Sequence, residues 1–69
     1  MDAKLIPSTV VETLGKQGAQ EFDDLLKQVQ KYQNGLNEDE FSQILMEMEI
    51  QGLIRVTKMA KGKRRIELA

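Results

Sequence analysis

Basic side chains concentrate near the C-terminal end of the chain, where they could bind phosphate groups. Residues 53–69 contain six Lys and Arg residues and one Glu, a net charge of +5. Residues 1–52 contain four Lys and ten acidic residues, a net charge of −6, so the overall −1 conceals this separation. Clustered cations attract a polyanion and release its counterions. The basic segment is therefore a candidate for contacts with a nucleic-acid backbone.

The candidate phosphate contacts lie around a predicted turn; they are Lys58, Lys61, Lys63, Arg64 and Arg65. Basic residues on exposed strands also prevent edge-to-edge pairing of sheets, so a solubilising role is the alternative. Six cations within the thirteen residues from Arg55 to Glu67 are dense for that role. This density favours binding.

The residue types that most often carry catalysis are missing. The chain has no His and no Cys, so the commonest general base and the thiol nucleophile are absent. The acidic run 38–40 fits stabilisation of a helix start better than a metal site, because consecutive helical residues point in different directions. We expect no enzymatic activity, no metal, no cofactor and no small-molecule substrate.

Length and composition place the chain among small globular domains. Its 69 residues form one predicted domain, residues 1–69, with 41% hydrophobic and 30% charged residues. Apolar runs are too short to span a membrane, and the N-terminal residues lack the apolar region of a secretory signal. We expect an intracellular location, in the cytoplasm, nucleoid or nucleus.

Apolar residues at helical spacing predict three short helices, at about residues 8–17, 20–33 and 38–51. Ser8 is the expected N-cap of the first helix, after Pro7, and Gly18 its stop. Tyr32 continues the apolar stripe of the second helix, which favours a place at the rim of the core over a base-stacking platform.

The third helix has the clearest end signals. Asn37 with Glu40 three residues later resembles a capping box, and Gly52 is the expected stop. The predicted core combines all three helices with the C-terminal segment: Phe22, Leu25, Leu26, Val29, Phe41, Ile44, Leu45, Ile54, Val56 and Ile66.

The apolar period changes from 3.6 to 2 after residue 53, which predicts a β-hairpin over about residues 53–68. A loop of residues 60–62, read as a type I turn with Gly62 in the left-handed region, closes it. This loop places Val56 opposite Ile66 on the buried face and Arg55 opposite Glu67 on the outer face. The predicted fold class is α+β, three helices with a two-stranded hairpin.

This order of elements resembles that of the winged-helix superfamily. The run from Asn37 to Ile54 is similar to its third helix and the following Gly-Leu-Ile, and residues 53–68 correspond to the wing. The resemblance implies a helix-turn-helix core in which the third helix often enters the DNA major groove while the wing contacts the backbone. Other members of the superfamily bind proteins. Examples are the winged-helix domains of general transcription factor E, of RNA polymerase subunits and of the endosomal sorting complex.

The third helix departs from a base-reading helix. Residues 38–51 include five carboxylates and no Lys or Arg, whereas base edges are read mainly by Arg, Lys, Asn and Gln. Apolar side chains among the acids suit a protein partner better than a DNA groove. The candidate docking residues are Gln43, Met46, Glu47 and Ile50. The alternative is that Met46 and Ile50 are partly buried.

Two functions therefore stay open. In the first, the chain is a DNA-associated module of the transcription or replication machinery that contacts double-stranded DNA backbone through the wing, without strong sequence specificity. In the second, it docks a protein through the acidic third helix and does not bind DNA. The basic segment favours the first function and the sign of the third helix favours the second.

Overall fold

The computed structural model describes residues 5–69, which form three α-helices and a three-stranded antiparallel sheet. In chain order the elements are α1 (Leu5–Gln17), β1 (Gln20–Glu21), α2 (Phe22–Gln30), α3 (Glu38–Ile50), β2 (Ile54–Lys58) and β3 (Arg64–Leu68), with a short 3-10 turn at Ala60–Gly62. The strand order is β1-β3-β2, so β3 is central. The predicted α+β class is confirmed, but the sheet has one strand more than the predicted hairpin.

One hydrophobic core joins the helices to the sheet. Phe41 and Leu45 are buried, as the predicted phase of the third helix requires. The predicted core residues all belong to this cluster, although Leu26, Ile44 and Val56 are only partly buried. Five more residues are buried in the same cluster: Ile6, Val10, Leu14, Leu36 and Met48.

The predicted start of the first helix is wrong. Ser8 lies inside α1 and does not cap it. Pro7 is tolerated within the first turn because the N–H groups there have no partner inside the helix. The earlier start adds Ile6 to the buried face, four residues before Val10. The predicted stop is confirmed: Gly18 has a φ of +78°.

The second helix is shorter at both ends than the predicted 20–33. Gln20 and Glu21 form β1, which pairs with Ile66 and Arg65 of β3. A strand of two residues has no periodicity that a sequence could display. The helix also ends at Gln30, so Tyr32 leaves the helical phase and is 75% exposed. Its predicted place at the rim of the core is therefore wrong.

Both ends of α3 follow the predicted signals. The backbone N–H of Glu40 donates to Asn37 Oδ1 at 2.8 Å, and that of Asn37 donates to Glu40 Oε1 at 3.3 Å, which completes the capping box. Gly52 has a φ of +79°, and the next backbone N–H, that of Leu53, donates to Met48 O at 3.0 Å. This pattern ends the helix at Ile50 and turns the chain into β2.

The register of the hairpin is confirmed. Val56 lies opposite Ile66, and Arg55 lies opposite Glu67. The turn differs from the predicted type I form, because Lys61 as well as Gly62 has a positive φ, +64° and +74° respectively. We call residues 54–68 the basic hairpin.

Candidate nucleic-acid interface

The basic hairpin distributes its cations over two faces. Side chains alternate along each strand, so one face packs Ile54 and Ile66 on the helices while the other faces away from them. Arg64 belongs to the inward face and Arg65 to the outward face. The five candidate phosphate contacts therefore have different environments, although they lie close together in sequence.

Arg64 is held against the helical core. Its guanidinium carbon lies 3.8 Å from the centre of the Phe22 ring, and its Nη1 donates to Ser42 Oγ at 3.1 Å. The side chain is half-buried by these contacts. Stacking on an aromatic ring and a hydrogen bond from a fixed fork are both characteristic of Arg. Arg64 therefore connects the basic hairpin to α2 and α3, and its charge is only partly available to a ligand.

Carboxylates moderate the charge of the outward face. Lys63 Nζ lies 3.8 Å from Glu21 Oε1, a long ion pair between partly exposed groups. Glu21 is also the register partner of Arg65, and Glu67 is that of Arg55. Exposed pairs of this kind contribute little stability but lower the local positive potential.

Three of the five candidate contacts are both exposed and without an ion pair among the described residues. Lys58, Lys61 and Arg65 are exposed, and none of them makes an ion pair within residues 5–69. Lys61 lies in the turn between the strands. These three cations are the ones best placed to contact phosphate.

Acidic helix starts lie beside the turn. A cleft of about 240 Å³ is lined by basic residues of the hairpin together with Glu21 and Asp23 at the start of α2 and Glu38 at the start of α3. A phosphate that approached through this cleft would be repelled by the carboxylates. A polyanion would therefore meet less repulsion on the solvent side of the turn than in this cleft.

The exposed face of α3 contains all four predicted docking residues. Met46 is 60% exposed and Ile50 is 79% exposed, so the alternative that they are partly buried in the core is excluded. Gln43 and Glu47 are also exposed and lie on the same side of the helix, at spacings of three and four residues. Ser42 differs from them because it is half-buried by Arg64.

Two features of this region have no signal in the sequence. The contact of Arg64 with Phe22 joins distant segments, and both residues have ordinary roles in their own elements. The exposure of Tyr32 depends on where α2 ends, which no Gly or Pro marks at residue 31. A contact between distant segments and the position of a helix end are decided by packing.

Neither a metal-holding cluster nor a membrane-spanning helix is found within residues 5–69. Those residues contain no group of three His, Cys, Asp or Glu side chains placed to hold a metal ion. No helix among them has both the length and the apolar character needed to cross a membrane.

Comparison with protein families, with curated proteins and with solved structures finds no match for this chain.

Proposed function

We propose that this chain is a winged-helix module that associates with double-stranded DNA, as part of the transcription or replication machinery. The basic hairpin contacts the DNA backbone, without strong sequence specificity. The observation that carries this proposal is the set of three exposed cations, Lys58, Lys61 and Arg65, that make no ion pair within the described part of the chain. Such cations bind phosphates of any sequence.

The geometry of α3 supports backbone contact over base reading. The helix has three acidic residues in its first turn and no basic residue in its last. Ser42, which could contact a base edge, already accepts a hydrogen bond from Arg64. Gln43 is the one exposed side chain of α3 of a type that commonly reads base edges. One amide provides little discrimination between sequences.

The test is a titration of labelled duplex DNA followed by fluorescence anisotropy at several salt concentrations. Each phosphate neutralised contributes about −0.9 to the slope of log affinity against log salt, so three contacts predict a slope of about −2.7. Replacing Lys58, Lys61 and Arg65 together by Ala should remove most of that slope and weaken all duplex sequences alike.

The single variants Lys27→Ala and Lys58→Ala are the matched controls, because each removes one exposed cation and only Lys58 belongs to the basic hairpin. Lys58→Ala should lower the slope by about 0.9, and Lys27→Ala should change it little. Equal binding by the wild type and the triple variant, with both folded, would contradict the proposal. So would strong preference for one duplex sequence that persists in the triple variant.

Docking of a protein through α3 is the second candidate function. It is favoured by the exposure of Met46 and Ile50, one turn apart on a helix without cations. The negative charge of α3 indicates the kind of partner that would bind there. It is a segment with apolar side chains flanked by Lys or Arg. The apolar residues would enter between Met46 and Ile50, and the cations would meet Glu47.

Two matched variants separate this function from the first. Met46→Lys should abolish binding of such a segment, while Met59→Lys makes the same change on an exposed residue outside α3 and should preserve it. Cross-linking should place the captured segment on α3, and its sequence should combine apolar and basic residues. Equal capture by both variants would exclude this face, as would a captured segment that is acidic.

A further inference from the structure

A polar groove between α1 and α2 lies apart from the basic hairpin. It has a volume of about 390 Å³, within the range of small-molecule sites. Its lining residues are Thr9, Glu12, Thr13, Lys16, Gln17, Gln28, Lys31 and Tyr32. None of them lines the acidic and basic cleft beside the hairpin turn. A ligand in this groove would therefore have contacts of its own.

Tyr32 presents the aromatic surface of this groove. It is the one Tyr of the chain and is 75% exposed, whereas Phe22 and Phe41, the two Phe residues, are buried. Exposure of so large a ring leaves a flat apolar face in water. A planar ligand that stacked on it would bury that face without disturbing the core.

Two lysines of the acidic body, Lys16 and Lys31, line the groove together with this ring. Lys27, on α2, is not among the lining residues. Lys16 Nζ lies 2.8 Å from Glu12 Oε1, and this hydrogen bond, with the charge of Glu12, raises the pKa of Lys16. Lys27 and Lys31 make no ion pair within residues 5–69. The groove therefore has one cation, Lys31, in addition to the Glu12–Lys16 pair.

Two amide side chains, those of Gln17 and Gln28, also line the groove. Gln28 Nε2 donates to Gln20 Oε1 at 3.2 Å, which ties the groove to β1. Gln17 lies at the end of α1 beside Lys16. Amides both donate and accept hydrogen bonds, as the edges of nucleobases do.

We propose that this groove binds a single-stranded nucleic-acid segment, with one unpaired base stacked on Tyr32 and the adjacent phosphate at Lys31, the lining cation that makes no ion pair within residues 5–69. An aromatic platform beside cations is the usual basis of sequence-tolerant single-strand binding. An unpaired base has free faces to stack, whereas bases in a duplex already stack on one another. This function goes beyond duplex contact by the basic hairpin, and the two sites share no residue.

The chain offers a direct probe of this site. It has one Tyr and no Trp, so its intrinsic fluorescence reports Tyr32 alone. Oligodeoxythymidine and oligouridine of about ten nucleotides match the site sizes of single-strand binders. Saturable quenching of the tyrosine emission by either oligonucleotide is expected, because the stacked base lies against the ring.

Variants then assign the contact. Tyr32→Ala should weaken binding of labelled oligonucleotide roughly 5- to 150-fold, the value of stacking one base, while Tyr32→Phe should keep most of the affinity. Lys31→Ala should lower the salt slope by about 0.7, the value for one phosphate of a single strand. Neither Tyr32→Ala nor Lys31→Ala should change duplex affinity measurably if duplex binds at the hairpin.

Several outcomes would overturn the proposal. These are unquenched tyrosine emission at saturating oligonucleotide, unchanged affinity in folded Tyr32→Ala, or loss of single-strand binding only in the hairpin triple variant. Circular dichroism checks that each variant folds. Because Tyr32 is exposed, its replacement should leave the fold intact. Duplex binding that is lost in the hairpin variant but normal in Tyr32→Ala, without any single-strand binding, would refute this site and leave the proposed function standing.

Discussion

Two adjacent arginines should behave differently when each is replaced by Ala. Arg64 lies on the inward face of the basic hairpin and contacts Phe22 and Ser42, whereas Arg65 is exposed on the outward face. Both replacements remove one positive charge and a similar volume. Any difference in stability therefore reports the contacts of Arg64 and not the loss of charge.

The expected difference follows from those contacts. A cation over an aromatic ring contributes about 0.5 kcal/mol when exposed and about 2 kcal/mol when desolvated. A hydrogen bond from the guanidinium to Ser42 adds about 1 kcal/mol at a half-exposed site. Arg64→Ala should therefore destabilise the domain by roughly 2 kcal/mol, and Arg65→Ala by less than about 0.5 kcal/mol.

Urea denaturation followed by far-ultraviolet circular dichroism measures both variants. A domain of this size has a total stability of roughly 3–10 kcal/mol, so a loss of about 2 kcal/mol is easily resolved. With a urea dependence of about 1 kcal/mol per molar, the midpoint of Arg64→Ala should fall by about 2 M. In duplex titrations, Arg65→Ala should lower the salt slope by about 0.9, the value for one phosphate.

Equal stability of the two variants would refute the role assigned to Arg64. A folded Arg64→Ala with wild-type stability and a reduced salt slope would show instead that Arg64 contacts phosphate. Arg64→Lys gives a second check, because it keeps the charge but loses the planar group that stacks on Phe22. Its stability should lie between those of Arg64→Ala and the wild type.

Three further predictions test the fold. Leu45→Ala should cost about 2–5 kcal/mol in urea denaturation, because Leu45 is buried in the one core. Gly52→Ala should cost about 1–2 kcal/mol by the same measurement, since its φ of +79° disfavours any Cβ although nothing lies within 4 Å of one. The Glu12–Lys16 pair lowers the pKa of Glu12 from 4.5 and raises that of Lys16 from 10.5, chiefly through their hydrogen bond. Its stabilisation should be complete between those two values, fade as pH falls through the lowered pKa of Glu12, and fade as pH rises through the raised pKa of Lys16. The difference in melting temperature between the wild type and Glu12→Gln should follow that course, and a difference that does not depend on pH would contradict it.

Local signals in the sequence determined the elements that depend on nearby residues. Asn37 and Glu40 predicted the start of α3, and Gly18 and Gly52 predicted the ends of two helices, because capping and positive φ act within a few residues. The alternation after residue 53 predicted the hairpin register, since a shift by one residue would expose the apolar face.

The helical period placed Met46 and Ile50 outside the core stripe of α3, because a helix that buries Phe41 and Leu45 turns those two positions away from the core. Their partial burial against another element stayed open, and the structure, in which both are exposed, decided it. The sequence therefore predicted the candidate docking residues, and the structure showed their exposure. For the hairpin, the sequence predicted a set of phosphate contacts that included Arg64, and it did not show which members of the set are exposed.

Tertiary packing decided the rest. The third strand exists because β3 offers hydrogen bonds to two residues that no pattern marks. Alternation puts Arg64 on the same face as Ile66 and Arg65 on the opposite face, but only the structure shows the Phe22 ring against Arg64. Tyr32 is exposed because α2 ends before it. Each of these outcomes depends on a contact between distant segments or on the balance at a helix end, so no local pattern could determine it.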